Sequence, residues 1–206
     1  MPDNLTLTAE DLQLIADARL RGGNIWDDSS LLLVKRKIKD HYMLKTDEQC
    51  CYCRKNFTGE FRFVIDIEHV LPKSKYPNLI FELVNLSVSC KRCNMYVKRE
   101  DITFLIDPVG VVNQLSDAGQ YLFSHPNLDD YFQHMNYLAQ IINNKKSVKY
   151  IPLTDKGNYT YTYFKLDQLE IETLNVAQGI PVMTTELSEN IPLNLTMEIE
   201  GLLNRL

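Results

Sequence analysis

Two Cys-x-x-Cys pairs constrain the fold of this 206-residue chain more strongly than any other feature. The pairs are Cys50/Cys53 and Cys90/Cys93, and 36 residues separate them. Each pair can place two thiolates about 3.5–4 Å apart on a tight turn, which matches an edge of a Zn²⁺ tetrahedron with Zn–S bonds of about 2.3 Å. Four thiolates leave no open coordination position, so the spacing predicts a structural zinc site, a four-cysteine knuckle, rather than a catalytic one.

The distribution of the cysteines also indicates the cellular compartment. All five lie between positions 50 and 93, whereas a disulfide framework would spread them across the chain. Cys51 has the poorer ligand spacing and is predicted to pack as a small apolar side chain. Residues 1–10 are polar and the densest apolar run, 31–34, is too short to cross a bilayer, so we expect a cytoplasmic protein with no membrane partner.

The segment between the two cysteine pairs carries residues suited to phosphodiester hydrolysis. Glu68 stands next to His69: a carboxylate can hold a hard cation, and an imidazole can take a proton from an attacking water. Asn94 directly follows the last cysteine, where its amide oxygen can complete a cation site with Glu68. Asn85 is placed to hold the loop that positions His69. Asp66 shares a strand face with Glu68 and is either an auxiliary ligand or an orienting neighbour.

The order of these motifs over about residues 50–98 resembles the HNH nuclease family, particularly its zinc-containing members. The resemblance implies an α+β fold with a ββα-metal core, His69 as general base, Glu68 and Asn94 as ligands of Mg²⁺ or Mn²⁺, and Asn85 as the loop-fixing asparagine. Glu68 departs from the commoner aspartate or histidine, and Asn94 departs from the commoner histidine. The residues predicted to contact nucleic-acid phosphates are Lys98, Arg99 and Lys73. Each of them, taken singly, also fits an ordinary solvated surface charge.

Charge is distributed unevenly along the chain, although the net charge is −5. Residues 31–100 carry a net charge of +6, while residues 1–30 carry −4 and residues 101–206 carry −7. A basic centre between acidic flanks fits an active module attached to scaffold or partner-binding elements, and the same charges taken alone also fit solvated surface faces. The family resemblance implies a nucleic-acid substrate, with DNA expected, and because the sequence shows no sequence-reading helix we expect low sequence specificity. The alternative is a zinc-ribbon-like nucleic-acid-binding or adaptor module without catalysis.

The motifs also resemble those of HNH nucleases from prokaryotic anti-phage defence systems. Septu-type systems among them pair the nuclease with an ATPase, so the resemblance implies an ATPase partner and a role in defence. This step is an analogy between families and is weaker than the argument from the site residues.

Three segments are predicted: N-terminal helices at 1–45, the nuclease domain at 46–105, and a C-terminal α+β accessory or partner-binding region at 106–206. A capping box at Thr8 predicts a helix that Gly22 ends, and a second helix is predicted over 31–43. Further strands are predicted at 61–67, 84–88, 148–151 and 159–164, and further helical stretches at 90–99, 166–174 and 195–206. The sequence leaves open whether residues 106–206 form a separate domain or wrap the centre.

Overall fold

The N-terminal part of the molecule consists of two helices. The structure, a computed structural model, describes residues 5–143 and 145–172. Helix α1, Ala9–Arg21, begins at the predicted capping box, where the Thr8 hydroxyl accepts from the backbone N–H of Asp11 at 3.2 Å, and it ends at Gly22. Helix α2, Leu32–Lys45, follows two 3₁₀ turns, Ile25–Asp27 and Ser29–Leu31. Both predicted helices are confirmed.

The centre is an antiparallel two-stranded hairpin followed by a short helix. Strand β1, Ile65–His69, pairs with β2, Leu86–Cys90, so that Glu68 lies opposite Ser87. A π-helix, Arg92–Lys98, follows β2, and α2 packs on the hairpin. Both strands begin later than predicted because 3₁₀ turns, Arg62–Val64 and Leu83–Asn85, occupy the residues before them.

The C-terminal part contains a second sheet between short helices. Helix α3, Tyr131–His134, leads into β3, Met135–Ile142, which pairs with β4, Lys145–Pro152. Helix α4, Asp155–Tyr163, follows, and the short strand β5, Ile171–Glu172, pairs with β4. The strand predicted at 148–151 is confirmed within β4.

The predicted strand at 159–164 is wrong, because these residues belong to α4 and the turn after it. The Thr154 hydroxyl accepts from the backbone N–H of Gly157 at 3.2 Å and caps the helix. A Cβ atom on Gly157 would lie 1.9 Å from the carbonyl oxygen of His134. Because only glycine lacks a Cβ atom, helix α4 can approach the backbone of His134 this closely only with glycine at position 157.

The helix predicted over 166–174 is also replaced. A 3₁₀ helix, Leu166–Leu169, ends at Glu170, where the chain becomes extended and joins β4 as β5. Hydrogen bonds to the sheet edge thus override the local helical pattern. Residues 173–174 and the helix predicted over 195–206 lie outside the described residues.

One hydrophobic core runs through all three predicted segments. Its buried members include Ile38 of α2, Val88 of β2 and Tyr150 of β4. The described part of 106–206 therefore packs against the centre. Among the helices that the structure describes, none combines the length and the apolar character needed to span a membrane.

Candidate metal centre and adjoining cleft

The four predicted zinc ligands meet in one buried cluster. The Sγ atoms of Cys50, Cys53, Cys90 and Cys93 all lie within 4.8 Å of one another. The Cys53 and Cys90 sulfurs are 3.8 Å apart, which is the edge expected for a ZnS₄ tetrahedron with bonds of about 2.3 Å. The cluster can bind zinc, and its donor chemistry fits that ion because four sulfur ligands favour zinc over hard cations.

The backbone around the first cysteine pair is tightly held. The Cys50 backbone N–H donates to the Lys55 carbonyl at 2.9 Å, and Arg54 closes the turn with a positive φ of 55°. From the C-terminal part, the Tyr150 hydroxyl donates to the Cys53 carbonyl at 2.6 Å. Cys51 is buried beside the cluster but is not one of its four members, which agrees with its predicted packing role.

A polar cleft of about 270 Å³ lies beside strand β1. The side chains that define its chemistry come from three parts of the chain: Trp26 before α2, Asp66 and His69 on β1, and Asn94 on the π-helix. The predicted nucleic-acid contacts Lys73, Lys98 and Arg99 line it as well. Most of the predicted site residues therefore converge on one opening.

His69 is held in a fixed orientation at the cleft. Its Nε2 lies 3.1 Å from the Ile80 carbonyl oxygen, and because a carbonyl only accepts, Nε2 carries the hydrogen. The neutral ring therefore keeps its lone pair on Nδ1, which is the nitrogen able to accept a proton. Burial lowers the pKa of His69 to about 4, and the charges of Lys73 and Lys98 act in the same direction.

Trp26 is a cleft residue whose role the sequence did not indicate. Its ring packs edge-on against His69, with centroids 4.4 Å apart and an interplanar angle of 78°. The ammonium groups of Lys35 and Lys73 lie over the same ring at 5.6 and 5.8 Å. In the sequence, Trp26 stands out only as the single tryptophan, and that fact does not predict a place in the cleft.

Glu68 does not line the cleft but lies buried beneath it. Its Oε1 is 3.1 Å from the Lys98 ammonium and accepts from the Tyr52 hydroxyl, also at 3.1 Å, while Ser89 donates to Oε2 at 3.3 Å. Burial raises the pKa of Glu68 and the Lys98 charge opposes that effect. Lys98 is only 1% exposed, so its ammonium neutralises Glu68 instead of standing free for a phosphate as predicted.

Asn94 contacts Asp66 in the cleft. The Asn94 Nδ2 donates to Asp66 Oδ2 at 3.1 Å, which leaves the amide oxygen of Asn94 available, and Lys91 contacts Asp66 Oδ1 at 2.8 Å. The Asp66 carboxylate and the Asn94 amide oxygen at this opening are hard donors that suit Mg²⁺ or Mn²⁺. Such an ion would keep several waters as ligands.

Asn85 fastens both ends of the loop that follows His69. Its Oδ1 accepts from the Leu71 backbone N–H at 2.7 Å, and its Nδ2 donates to the carbonyls of Leu71 and Leu79 at 3.2 and 3.1 Å. The side chain is buried. Because Ile80, which holds His69, adjoins this loop, Asn85 fixes the imidazole indirectly.

The chain is similar to the Septu protein PtuB of Bacillus thuringiensis, with 33% identity over 88 residues. The match covers 43% of this chain and 31% of that protein, so the similarity spans less than a third of the relative's length. No protein-family model and no solved structure matches the chain. The comparisons therefore relate the chain to a Septu protein over part of its length.

Proposed function

We propose that this chain is a divalent-metal-dependent endonuclease of the HNH type that hydrolyses phosphodiester bonds in nucleic acid, with DNA as the expected substrate. The observation that carries the proposal is the fixed imidazole of His69, whose Nδ1 is free to accept a proton at a cleft that also holds Asp66 and Asn94. A general base next to hard oxygen donors is the combination that hydrolysis of a phosphodiester requires.

The residues divide the chemistry between them. His69 takes a proton from the attacking water, and Asn85 keeps the loop around it in place. Asp66 and the amide oxygen of Asn94 would hold Mg²⁺ or Mn²⁺, with Glu68 joining them when Lys98 moves away. Such an ion supplies positive charge for the phosphate oxygens and the leaving oxygen. Arg99 and Lys73 line the cleft where they can contact neighbouring phosphates.

One observation favours a second candidate, a nucleic-acid-binding or adaptor module without catalysis. Glu68, the expected cation ligand, is fully buried and already paired with Lys98. A cleft that never takes up a divalent ion would still bind phosphates through Lys73 and Arg99. The two candidates therefore differ in whether the cleft turns over its substrate.

A cleavage assay separates the two candidates. The full chain is incubated with supercoiled plasmid, single-stranded circular DNA and RNA, with Mg²⁺, with Mn²⁺ and without added divalent ions. We expect metal-dependent nicking, and we expect His69→Ala to lower the rate by about 10²–10⁴-fold with zinc content unchanged. His41→Ala, which alters a histidine of α2 outside the cleft, is the matched control. Cleavage by His69→Ala at the wild-type rate would place the activity elsewhere or in a contaminant.

We further propose that the chain acts in anti-phage defence with a protein partner, an ATPase. The similarity to a Septu protein supports this role. Exposed apolar side chains on one face of β3, namely Leu138 and Ile142, offer a docking surface in the acidic C-terminal part. Acidic flanks around a basic centre predict weak binding of DNA by the isolated chain, so the partner would supply further phosphate contacts. Nanomolar duplex binding by the isolated chain at physiological salt would contradict this delivery role.

A further inference from the structure

A second groove, of about 290 Å³, lies beside the cleft between α2 and β1. Its apolar residues are Leu32 and Leu33 of α2 and Ile67 of β1. Four basic residues and no acidic residue complete its lining: Lys35, Arg36, Lys39 and Arg62. An apolar surface with a cationic border is complementary to a ligand that has both flat apolar faces and negative charges.

The groove is continuous with the cleft. Ile67 lines both, and Lys35 of the groove places its ammonium 5.6 Å from the ring centroid of Trp26, which lines the cleft. A further series of side-chain contacts starts at Asp66 in the cleft. Lys91 contacts Asp66 at 2.8 Å and lies 4.9 Å over the ring of Phe63. A linear ligand in the cleft therefore meets the groove directly.

The cations of the groove are not all occupied by the protein. Lys39 donates to the carbonyls of Arg62 and Ile65 and has a structural role. Arg36 is exposed and makes no hydrogen bond or ion pair with any residue that the structure describes. Burial lowers the pKa of Lys39; the charges of Arg62 and Lys91 act in the same direction, and the charge of Asp66 opposes them.

We propose that this groove holds an unpaired strand of nucleic acid as it enters or leaves the cleft. The inference rests on the proposed nuclease function and narrows its substrate. A duplex hides the faces of its bases and presents mainly phosphates, so Leu32 and Leu33, which are 67% and 65% exposed, would gain little from it. A single strand places its bases on the apolar residues and its phosphates beside Arg36.

Binding is tested on the full chain by fluorescence anisotropy with fluorescein-labelled 12-nucleotide probes, single-stranded and duplex, without added divalent ions. We expect tighter binding of the single strand. Arg36→Gln should weaken single-strand binding roughly tenfold. The salt dependence of binding should also become shallower, by the equivalent of about one neutralised phosphate. Leu33→Ser should weaken single-strand binding several-fold and leave duplex binding unchanged. The matched controls are Lys55→Gln and Leu20→Ser, which alter exposed residues outside the groove.

A photocross-link gives a readout that does not depend on affinity. A 12-mer carrying 4-thiothymidine should cross-link to the peptide that contains residues 32–36, as read by mass spectrometry. Cross-links confined to other surfaces, or groove variants that bind like the controls, would overturn the proposal, as would equal loss of duplex and single-strand binding. An acidic peptide as the true occupant would appear as such a failure.

The failure of this proposal is distinguishable from failure of the nuclease function. If plasmid is nicked but the groove variants bind single strands normally, the groove is wrong and the nuclease stands. If the groove variants lose single-strand binding but no substrate is cut, the groove stands and the chain is a binding module.

Discussion

The four-cysteine cluster and the cleft lie on the same hairpin but differ in almost every physical property. The cluster is closed: its four sulfurs are buried and face one another within 4.8 Å. The cleft is open, and polar side chains of different kinds line it. Identical soft ligands that surround an ion hold structure together, whereas mixed hard groups around an opening leave room for a substrate.

The difference indicates that the cluster supports the cleft instead of taking part in its chemistry. Cys90 ends β2, whose partner β1 carries Asp66 and His69. Tyr52, between the first two cysteine ligands, donates to Glu68 beneath the cleft. The hairpin backbone and the hydrogen bond from Tyr52 to Glu68 therefore connect the two regions. We expect disruption of the cluster to disturb the cleft, and substitutions in the cleft to leave the cluster intact.

Removal of the second cysteine pair should have the largest effect. Cys90→Ser together with Cys93→Ser should abolish zinc binding and unfold the centre. Zinc at such sites contributes an apparent free energy of about 10–16 kcal/mol near pH 7. Elemental analysis and circular dichroism measure both effects. Cys51→Ala is the control, because Cys51 is buried but outside the cluster, and it should keep one zinc per chain. Zinc retained in the double variant would show that the cluster is not the site.

Loss of the buried ion pair should have the next largest effect. Lys98→Met leaves Glu68 as an uncompensated buried charge, and we expect the free energy of unfolding to fall by about 3–5 kcal/mol. Adding Glu68→Gln to Lys98→Met removes the charge and should recover most of that loss. Urea denaturation in the presence of zinc measures all three proteins. An unchanged stability of Lys98→Met would mean that Glu68 and Lys98 do not form the buried pair.

The smallest predicted effect is on the pH dependence of stability. It comes from His125, a buried histidine of the C-terminal part, and not from His69 at the cleft. Burial lowers the pKa of His125 to about 3, Asp129 opposes this, and Lys156 and Lys45 reinforce it. Below about pH 6.5 the unfolded chain binds a proton that the folded chain excludes until about pH 3. His125 therefore contributes stability above pH 6.5 that is lost as the pH falls, by about 2 kcal/mol between pH 7 and pH 5.

His125→Asn tests this contribution, because the amide oxygen can replace the Nδ1 that accepts from Asn127. The pH dependence of unfolding should become shallower by about 2 kcal/mol over the same interval, relative to the wild type. Other groups, His69 among them, titrate in both proteins and cancel in the difference. Equal pH dependence in the two proteins would show that His125 does not contribute to the acid sensitivity.

The sequence by itself determined the features that depend on spacing along the chain. Two Cys-x-x-Cys pairs specify a four-sulfur cluster because each pair forms its own tight turn, and the structure brings the four sulfurs together. The capping box at Thr8 specified α1 because its hydrogen bonds are local. Asp66 was expected on the strand predicted over 61–67, His69 just after that strand and Asn94 directly after the last cysteine, and all three line the cleft.

The tertiary structure alone decided which partner each of the other groups meets. The pairing of Glu68 with Lys98 and the packing of Trp26 on His69 join residues that lie 30 or more positions apart, and local pattern carries no information about such contacts. Residues 159–164 are predicted as a strand, yet the Thr154 cap and the close approach to the backbone that Gly157 allows favour the helix Asp155–Tyr163. Periodicity reports which faces can be buried, and only the assembled core determines what buries them.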